Sequence, residues 1–176
     1  MKHNQGFTLI ELMVATGLFA IVMLLSSGAY LMMVGLNRQA QGIATGINNL
    51  SFALETMTRG IRTGSGYQCP GGTSGCVINA SANPFSFKDS GGKAVSYALS
   101  GSRVQETIGG VQSTLTDPSV AVTSLFFYVV GTKPVSGDQQ QARVTMIVSG
   151  TVSSSANKKP QAFTVETGAT MRQSDI

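Results

Sequence analysis

The fold is decided by the stretch KHNQGFTLIELMVA (residues 2–15), where a short polar segment gives way to a long apolar run. From Phe7 to Leu36 the one charged side chain is Glu11. A run of about 30 residues extends roughly 45 Å as a helix, and about 20 residues cross the hydrocarbon core of a bilayer. The run therefore predicts a membrane-spanning helix that projects beyond the bilayer. A carboxylate inside it costs about 2.5–3.5 kcal/mol on insertion scales, so a reason for Glu11 is expected.

The rest of the chain has a different composition. The 176-residue sequence has a net charge of +4 and 11% charged residues, and after Leu36 it is polar and rich in Gly, Ser and Thr. Its basic side chains are scattered, and only Lys158–Lys159 are adjacent, which is typical of a solvated surface rather than a nucleic-acid-binding patch. The length fits one domain. A membrane-embedded end joined to a water-exposed head is predicted.

A secretory signal peptide is the first alternative for the apolar run. Such a peptide has an apolar region of about 7–15 residues, followed by a cleavage site made of small residues. The run here is longer, and Gly6 is the one conspicuous small residue before it. A simple signal peptide therefore fits poorly.

Apolar residues predict that the helix continues beyond the span. They form one stripe with steps of mostly three and four: Leu36, Ile43, Ile47, Leu50, Leu54, Met57 and Ile61. The stripe can be a face packed on a sheet or a coiled-coil seam, and Gly42 and Gly46 favour the sheet. Gly64 and Gly66 are typical helix-terminating residues, so the helix is predicted to end within Arg62–Gly66.

The segment after the helix has the pattern of strands and turns. The run AVSYALSGSRVQETI predicts a hairpin of Ala94–Leu99 and Arg103–Ile108 around Ser100–Ser102. Three further β-rich runs follow: Val120–Val130, Ala142–Val152 and Ala162–Arg172. A second long helical pattern is missing from the sequence. The predicted fold class is therefore α+β, with a long N-terminal helix, half transmembrane and half amphipathic, packed on a C-terminal antiparallel β-sheet head.

The string GFTLIELMVA (residues 6–15) resembles the prepilin signature of type IV pilins and type II secretion pseudopilins. The resemblance implies cleavage after Gly6 by a membrane prepilin peptidase and N-methylation of the new terminus, Phe7. It makes Glu11 the fifth residue of the mature chain, where the family's glutamate is thought to neutralise the α-amino group of a neighbouring subunit. Glu11 would then set the register of incoming subunits, because an unpaired buried charge is costly. A glutamate that snorkels to the membrane interface is the alternative.

The resemblance also implies a domain layout and partners. Residues 1–6 would be the leader, 7–36 the transmembrane and filament-core helix, and 37–176 the head, with an amphipathic helix at 37–64 and a β-rich part at 65–176. The expected partners are other pilins or pseudopilins through the N-terminal helix, the prepilin peptidase/methyltransferase and the inner-membrane assembly platform. The head would lie outside the cytoplasm, and the chain would pass from the inner membrane into a cell-surface or periplasmic filament.

Two departures from major pilins favour a minor subunit that primes or caps assembly. Many major pilins carry a helix-bending proline in the transmembrane half, whereas this chain has Gly28 near that place. Major pilins often have a cysteine pair near the C-terminus, whereas Cys69 and Cys76 lie in the middle of this chain. The segments ALETMTRGIRTG (53–64) and AFTVETGATMRQSD (162–175) are also similar to minor pilins and minor pseudopilins with larger heads.

The two cysteines flank the loop PGGTSG. A zinc site would need two further ligands, and the one histidine, His3, lies in the predicted leader. The spacing is not that of a C-x-x-C redox pair. A structural disulfide between Cys69 and Cys76 is therefore predicted, with free thiols as the alternative. Closing this loop would stabilise the fold by roughly 2.5 kcal/mol and would require an oxidising compartment.

Catalysis, a cofactor and a metal are not expected. A chain cleaved after Gly6 would contain no histidine to serve as a general base for its serines. Asp89, Asp117 and Asp138 are isolated in the sequence and lack the spacing of a calcium loop. The sequence therefore predicts a non-enzyme.

An alternative function is a minor pilin whose head binds DNA or a surface. It would require a continuous basic stripe on the head, with Tyr67, Tyr97 or Tyr128 exposed beside it. The strand positions of Tyr97 and Tyr128 favour packing within the head instead. A plain single-span anchor that is never cleaved is a further alternative, but it leaves Glu11 without a partner.

Overall fold

The computed structural model describes residues 6–70, 75–132, 141–154 and 157–172, without the side chains of 154 and 157–159. One helix, α1 (Leu9–Thr63), precedes eight strands: β1 (Gly75–Asn79), β2 (Phe85–Lys88), β3 (Ala94–Ser100), β4 (Arg103–Ile108), β5 (Val111–Thr114), β6 (Val120–Val130), β7 (Arg143–Ser154) and β8 (Asn157–Thr170). All pairings between these strands are antiparallel. The predicted α+β class is confirmed.

The two halves of α1 have different environments. Every residue from Leu9 to Met33 is exposed. The helix then packs on β6, β7 and β8 and buries one face: Gly46, Leu50, Ala53, Leu54, Met57 and Ile61. The predicted stripe is thus confirmed from Leu50 onward. Leu36 and Ile47 are 56% and 50% exposed because Leu36 lies about 15 Å before the first buried residue and Ile47 is turned about 100° from Gly46.

Small residues let α1 come close to the sheets. Gly46, Ala53 and Gly60 are seven residues apart, so they return to nearly the same face every two turns. A Cβ atom at Gly60 would lie 2.6 Å from the Tyr97 hydroxyl oxygen, and one at Gly46 would collide with Val152. Gly46, which the sequence offered only as an argument against a coiled coil, is therefore a site of close backbone packing.

The helix ends where the sequence predicted. Gly64 is the C-cap residue in extended conformation (φ −84°), and its N–H donates to the carbonyl of Ile61. Gly66 has a positive φ of 63°, which L side chains rarely adopt. The chain then turns so that Tyr67 is buried and its hydroxyl donates to the Ile61 carbonyl at 2.6 Å.

The strands form two four-stranded sheets, where the sequence analysis expected one. Their orders are β2-β3-β4-β5 and β1-β6-β7-β8. The predicted hairpin is β3–β4, with Gly101 and Ser102 at its turn, and β6 matches the predicted Val120–Val130. β7 and β8 overlap the other two predicted runs with shifted ends. Strands β1, β2 and β5 were not predicted, because four or five residues are too few for a clear alternating pattern.

An aromatic cluster joins the two sheets. The rings of Phe85 and Phe127 stack with centroids 4.6 Å apart, and Tyr97 lies 6.4 Å from Phe127. Tyr97 is fully buried, and its hydroxyl donates to Glu106 Oε1 at 3.2 Å. Burial, with a smaller contribution from the Glu106 carboxylate, raises the pKa of Tyr97. The expectation that Tyr97 packs inside the head is confirmed.

Candidate assembly site

The predicted cleavage point lies outside the helix. Gly6 and Phe7 precede α1 in non-helical conformation, and the Phe7 side chain is 87% exposed. A Cβ atom at Gly6 would meet nothing within 4 Å. A protease must bind an extended backbone at the bond it cuts, so the Gly6–Phe7 bond has the exposure that cleavage requires.

Glu11 takes part in a capping box at the start of α1. Its Oε2 atom accepts hydrogen bonds from the Thr8 backbone N–H at 2.9 Å and from the Thr8 hydroxyl at 2.8 Å. In return, the Glu11 N–H donates to Thr8 Oγ1 at 3.4 Å. The two residues therefore satisfy backbone donors that the first turn of a helix leaves without partners. No cation accompanies the Glu11 carboxylate within the described residues.

Thr8 is the residue that sequence reasoning missed at this site. The signal was present, because T-x-x-E at positions 8–11 before an apolar run is the capping-box pattern. In the sequence Glu11 stands out by its charge, and this obscured its role in the capping box. The structure adds a local role, since Glu11 helps to start the helix even before any neighbour supplies a positive charge.

The apolar part of α1 packs on nothing within the described residues. It presents large exposed side chains on all sides, including Leu9, Ile10, Phe19, Leu25 and Met32. Within the part of the chain that the structure describes, α1 is the one helix long and apolar enough to cross a membrane. A helix that is apolar all round is stable in lipid or among other apolar helices, not in water.

The predicted disulfide is present. Cys69, in the segment after α1, is bonded to Cys76 in β1, and their Cα atoms are 5.7 Å apart. β1 is an edge strand of its sheet, and both cysteines pack against the core cluster. The bond therefore ties a sheet edge to the chain that leaves the end of the helix.

The tyrosines offered for ligand binding are mostly buried. Tyr67 is 8% exposed and Tyr97 is 0% exposed, whereas Tyr128 is 40% exposed. The packing expectation is thus confirmed for Tyr97, while Tyr128 presents its ring on the outer face of β6. Its cross-strand neighbour Val77 is also exposed there.

The isolated aspartates occupy separate turns. Asp89 Oδ1 accepts from the N–H groups of Gly91 and Lys93. Asp117 Oδ1 accepts from the Ser119 N–H at 2.9 Å, and this bond lowers the pKa of Asp117. The described residues contain no group of three or more His, Cys, Asp or Glu side chains that could hold a metal ion. Asp138 lies outside the described residues.

Comparison with known families identifies the start of the chain. Residues 1–27 match the prokaryotic N-terminal methylation motif, the prepilin-type signature of type IV pilins and pseudopilins. Comparisons with curated proteins and with solved structures gave no match. The resemblance drawn from the sequence is confirmed. The motif indicates a pilin-like structural subunit that is anchored by a single span, processed by a prepilin peptidase and assembled with other pilin subunits.

Proposed function

We propose that this chain is a minor subunit of a type IV pilus or a related secretion or competence filament, cleaved after Gly6 and N-methylated on Phe7. The observation that carries the proposal is a coincidence of sequence and structure. The methylation motif covers residues 1–27, and from Leu9 onward these residues belong to the part of α1 that packs on nothing within the described chain. A helix that must associate with other subunits requires such a surface.

Glu11 guides assembly through its charge. In the uncleaved chain, Thr8 supplies hydrogen bonds to the Glu11 carboxylate but no opposite charge. Cleavage before Phe7 creates an α-ammonium group at the start of each mature helix. Opposite charges in a low-dielectric bundle attract strongly, and either one alone is costly, so a neighbour's ammonium beside Glu11 fixes the axial register.

The domain layout follows from this function. Residues 1–6 are the leader, 7–36 the membrane and filament-core helix, and 37–176 the head. The Cys69–Cys76 disulfide supports a head outside the cytoplasm, because disulfides form and persist in oxidising compartments. Before assembly the chain resides in the inner membrane, where the peptidase and the assembly platform are the expected partners.

Two features support a minor rather than a major subunit. α1 runs from Leu9 to Thr63 without a proline, and Gly28 lies within continuous helix. The disulfide lies close to the end of α1 rather than near the C-terminus. Both features differ from the major-pilin pattern.

A head that binds DNA is the weaker candidate. Stacking on bases requires exposed aromatic rings, and Tyr67 and Tyr97 are buried. Tyr128 alone of the three is partly exposed. The structural function therefore accounts for more of the molecule.

The test is intact mass and N-terminal sequencing of the full chain, purified from the native membranes, alongside the Gly6→Val variant. The expected product is a chain that begins at Phe7 and carries one added methyl group, and Gly6→Val should block its formation. Gly17→Val is the matched control, since a Cβ atom at Gly17 also meets nothing within 4 Å. A wild-type chain that still begins at Met1, in cells that process other prepilins, would mean a plain membrane anchor.

A further inference from the structure

Three arginines meet at the C-terminal end of α1, opposite to the end that carries the membrane span. Arg59 and Arg62 lie on the last turns of α1, and Arg172 follows β8. The Arg172 backbone N–H donates to the Arg62 carbonyl at 3.0 Å, which holds the two segments together. The three arginines line a cavity of about 300 Å³ together with Glu55, Thr58 and Thr63. We call this cavity the arginine pocket.

The positive charge of the arginine pocket is not balanced by the chain's described residues. Arg59 pairs with Glu55 at 3.0 Å, but both side chains are largely exposed, and such pairs contribute little. Arg62 and Arg172 form no ion pair within the described residues. The helix dipole stabilises a basic residue in the last turn, which explains the position of Arg62. It does not explain Arg172, which comes from the far end of the sequence.

The ligand of such a pocket is an anion with paired oxygens. Guanidinium groups bind carboxylates and phosphates through two parallel hydrogen bonds. Lipid phosphates are out of reach, because the helix from Leu36 to Thr63 is about 40 Å long. A nucleic acid would require aromatic rings on which its bases stack, and none among the described residues lines the arginine pocket. Along the helix, the preceding basic residue, Arg38, lies about 30 Å from Arg59. The observations therefore favour the carboxylates of a protein.

A second copy of this chain is itself net basic, with a charge of +4 over the full sequence. Five of the six described acidic side chains already accept hydrogen bonds: Glu11, Glu55, Asp89, Glu106 and Asp117. The sixth, Glu166, makes no hydrogen bond or ion pair within the described residues. Among the described residues there is also no cluster of three acidic groups. The described residues of a second copy therefore present no acidic cluster that would complement the arginine pocket.

We infer that the arginine pocket binds an acidic surface on a different pilin-type subunit. This inference rests on the proposed function, since it assumes that the chain assembles with other subunits. The pocket then selects an acidic subunit as a neighbour and disfavours the chain's own copy, which restricts the position of this subunit in the assembly.

The test is photo-crosslinking of the full chain in cells that produce it together with its sister subunits. A benzophenone amino acid replaces Thr63, an exposed residue that lines the pocket while leaving the arginines unchanged. The matched control carries the same group at Thr114, an exposed residue of β5. Mass spectrometry identifies the crosslinked peptide, and N-terminal sequencing of the same sample shows whether the chain was processed at Phe7.

The expected adduct joins position 63 to an Asp- or Glu-rich peptide of another subunit that carries the prepilin signature. The double variant Arg62→Glu/Arg172→Glu should lower its yield about tenfold or more, whereas Arg103→Glu should leave it unchanged. An adduct with a second copy, with nucleic acid or with residues 173–176 of the same chain would overturn the inference, as would a processed chain without an adduct. A chain unprocessed at Phe7 would contradict the proposed function instead.

Discussion

The two halves of α1 form one continuous helix but differ in the surface that covers them. From Leu9 to Met33 the helix buries nothing against the rest of the chain, whereas from Gly46 to Ile61 one face is covered by the head. Continuity of the backbone is therefore no guide to where the stabilising contacts are. The second half is covered by the head of the same chain, and the first half is covered by lipid or by other subunits.

The residues of the two halves show why they differ. The second half has one apolar face, with small residues where the sheets approach most closely, so it fits a single partner surface. The first half is apolar on all sides and needs an apolar environment all round. In a membrane, helices associate through packing rather than through hydrophobic burial. The first half can therefore exchange lipid contacts for contacts with neighbouring helices with little change in free energy.

The largest expected effect compares two isoleucines of the same helix. Ile61→Ala should lower the free energy of unfolding of the head by about 2–5 kcal/mol, because Ile61 is fully buried and truncation leaves a cavity. Ile21→Ala removes the same atoms from an exposed position and should change the same quantity by less than about 0.5 kcal/mol. Urea unfolding of the full chain in detergent, followed by tyrosine fluorescence, measures both. Equal losses would show that the first half also packs on the head.

The next effect compares two glycines. Gly60→Ala should destabilise the head by about 1–3 kcal/mol, since its Cβ would lie 2.6 Å from the buried Tyr97 hydroxyl oxygen. Gly28→Ala meets nothing within 4 Å and should favour the helix by up to about 1 kcal/mol. Urea unfolding measures the stability of the head in Gly60→Ala. Circular dichroism measures the helix content of Gly28→Ala. A neutral Gly60→Ala would mean that the close approach of α1 to Tyr97 is not needed.

The smallest effect concerns acid stability of the head. The Ser119 N–H holds the pKa of Asp117 below its ordinary value, so this bond adds stability at neutral pH that is lost as the pH falls below about 4. Asp117→Asn cannot titrate and should lose less stability than the wild type between pH 7 and pH 3. Equal losses of stability in the wild type and in Asp117→Asn would exclude a contribution of the Asp117 turn to acid stability.

The sequence predicted the parts of the fold that rest on long patterns. The apolar run, the stripe that ends at Ile61 and the long strand β6 extend over enough residues for their periodicity to be clear. The division into two sheets was missed, because it depends on contacts between distant residues such as Phe85 and Phe127. Pairing of strands across the chain leaves no local pattern to read.

The candidate site was predicted in part for a similar reason. The G-F-x-x-x-E register (residues 6–11) is local, so Gly6, Phe7 and Glu11 could be identified directly from the sequence. Thr8 was overlooked although its signal is equally local. The arginine pocket could not be predicted, because Arg62 and Arg172 are brought together by the packing of β8 on α1 and by the hydrogen bond that follows β8.

We propose that the first half of α1 serves assembly and that the charge of Glu11 directs it. The most direct test is the assembled fraction of Glu11→Gln, which keeps the capping box with Thr8 but removes the charge. Glu166→Gln, at an exposed glutamate of β8 that lies outside the arginine pocket, is the matched control. We expect Glu11→Gln to be processed at Phe7, to keep a stable head and to enter filaments at least about tenfold less than Glu166→Gln. Equal entry of the two variants into filaments would contradict a role of the Glu11 charge in assembly.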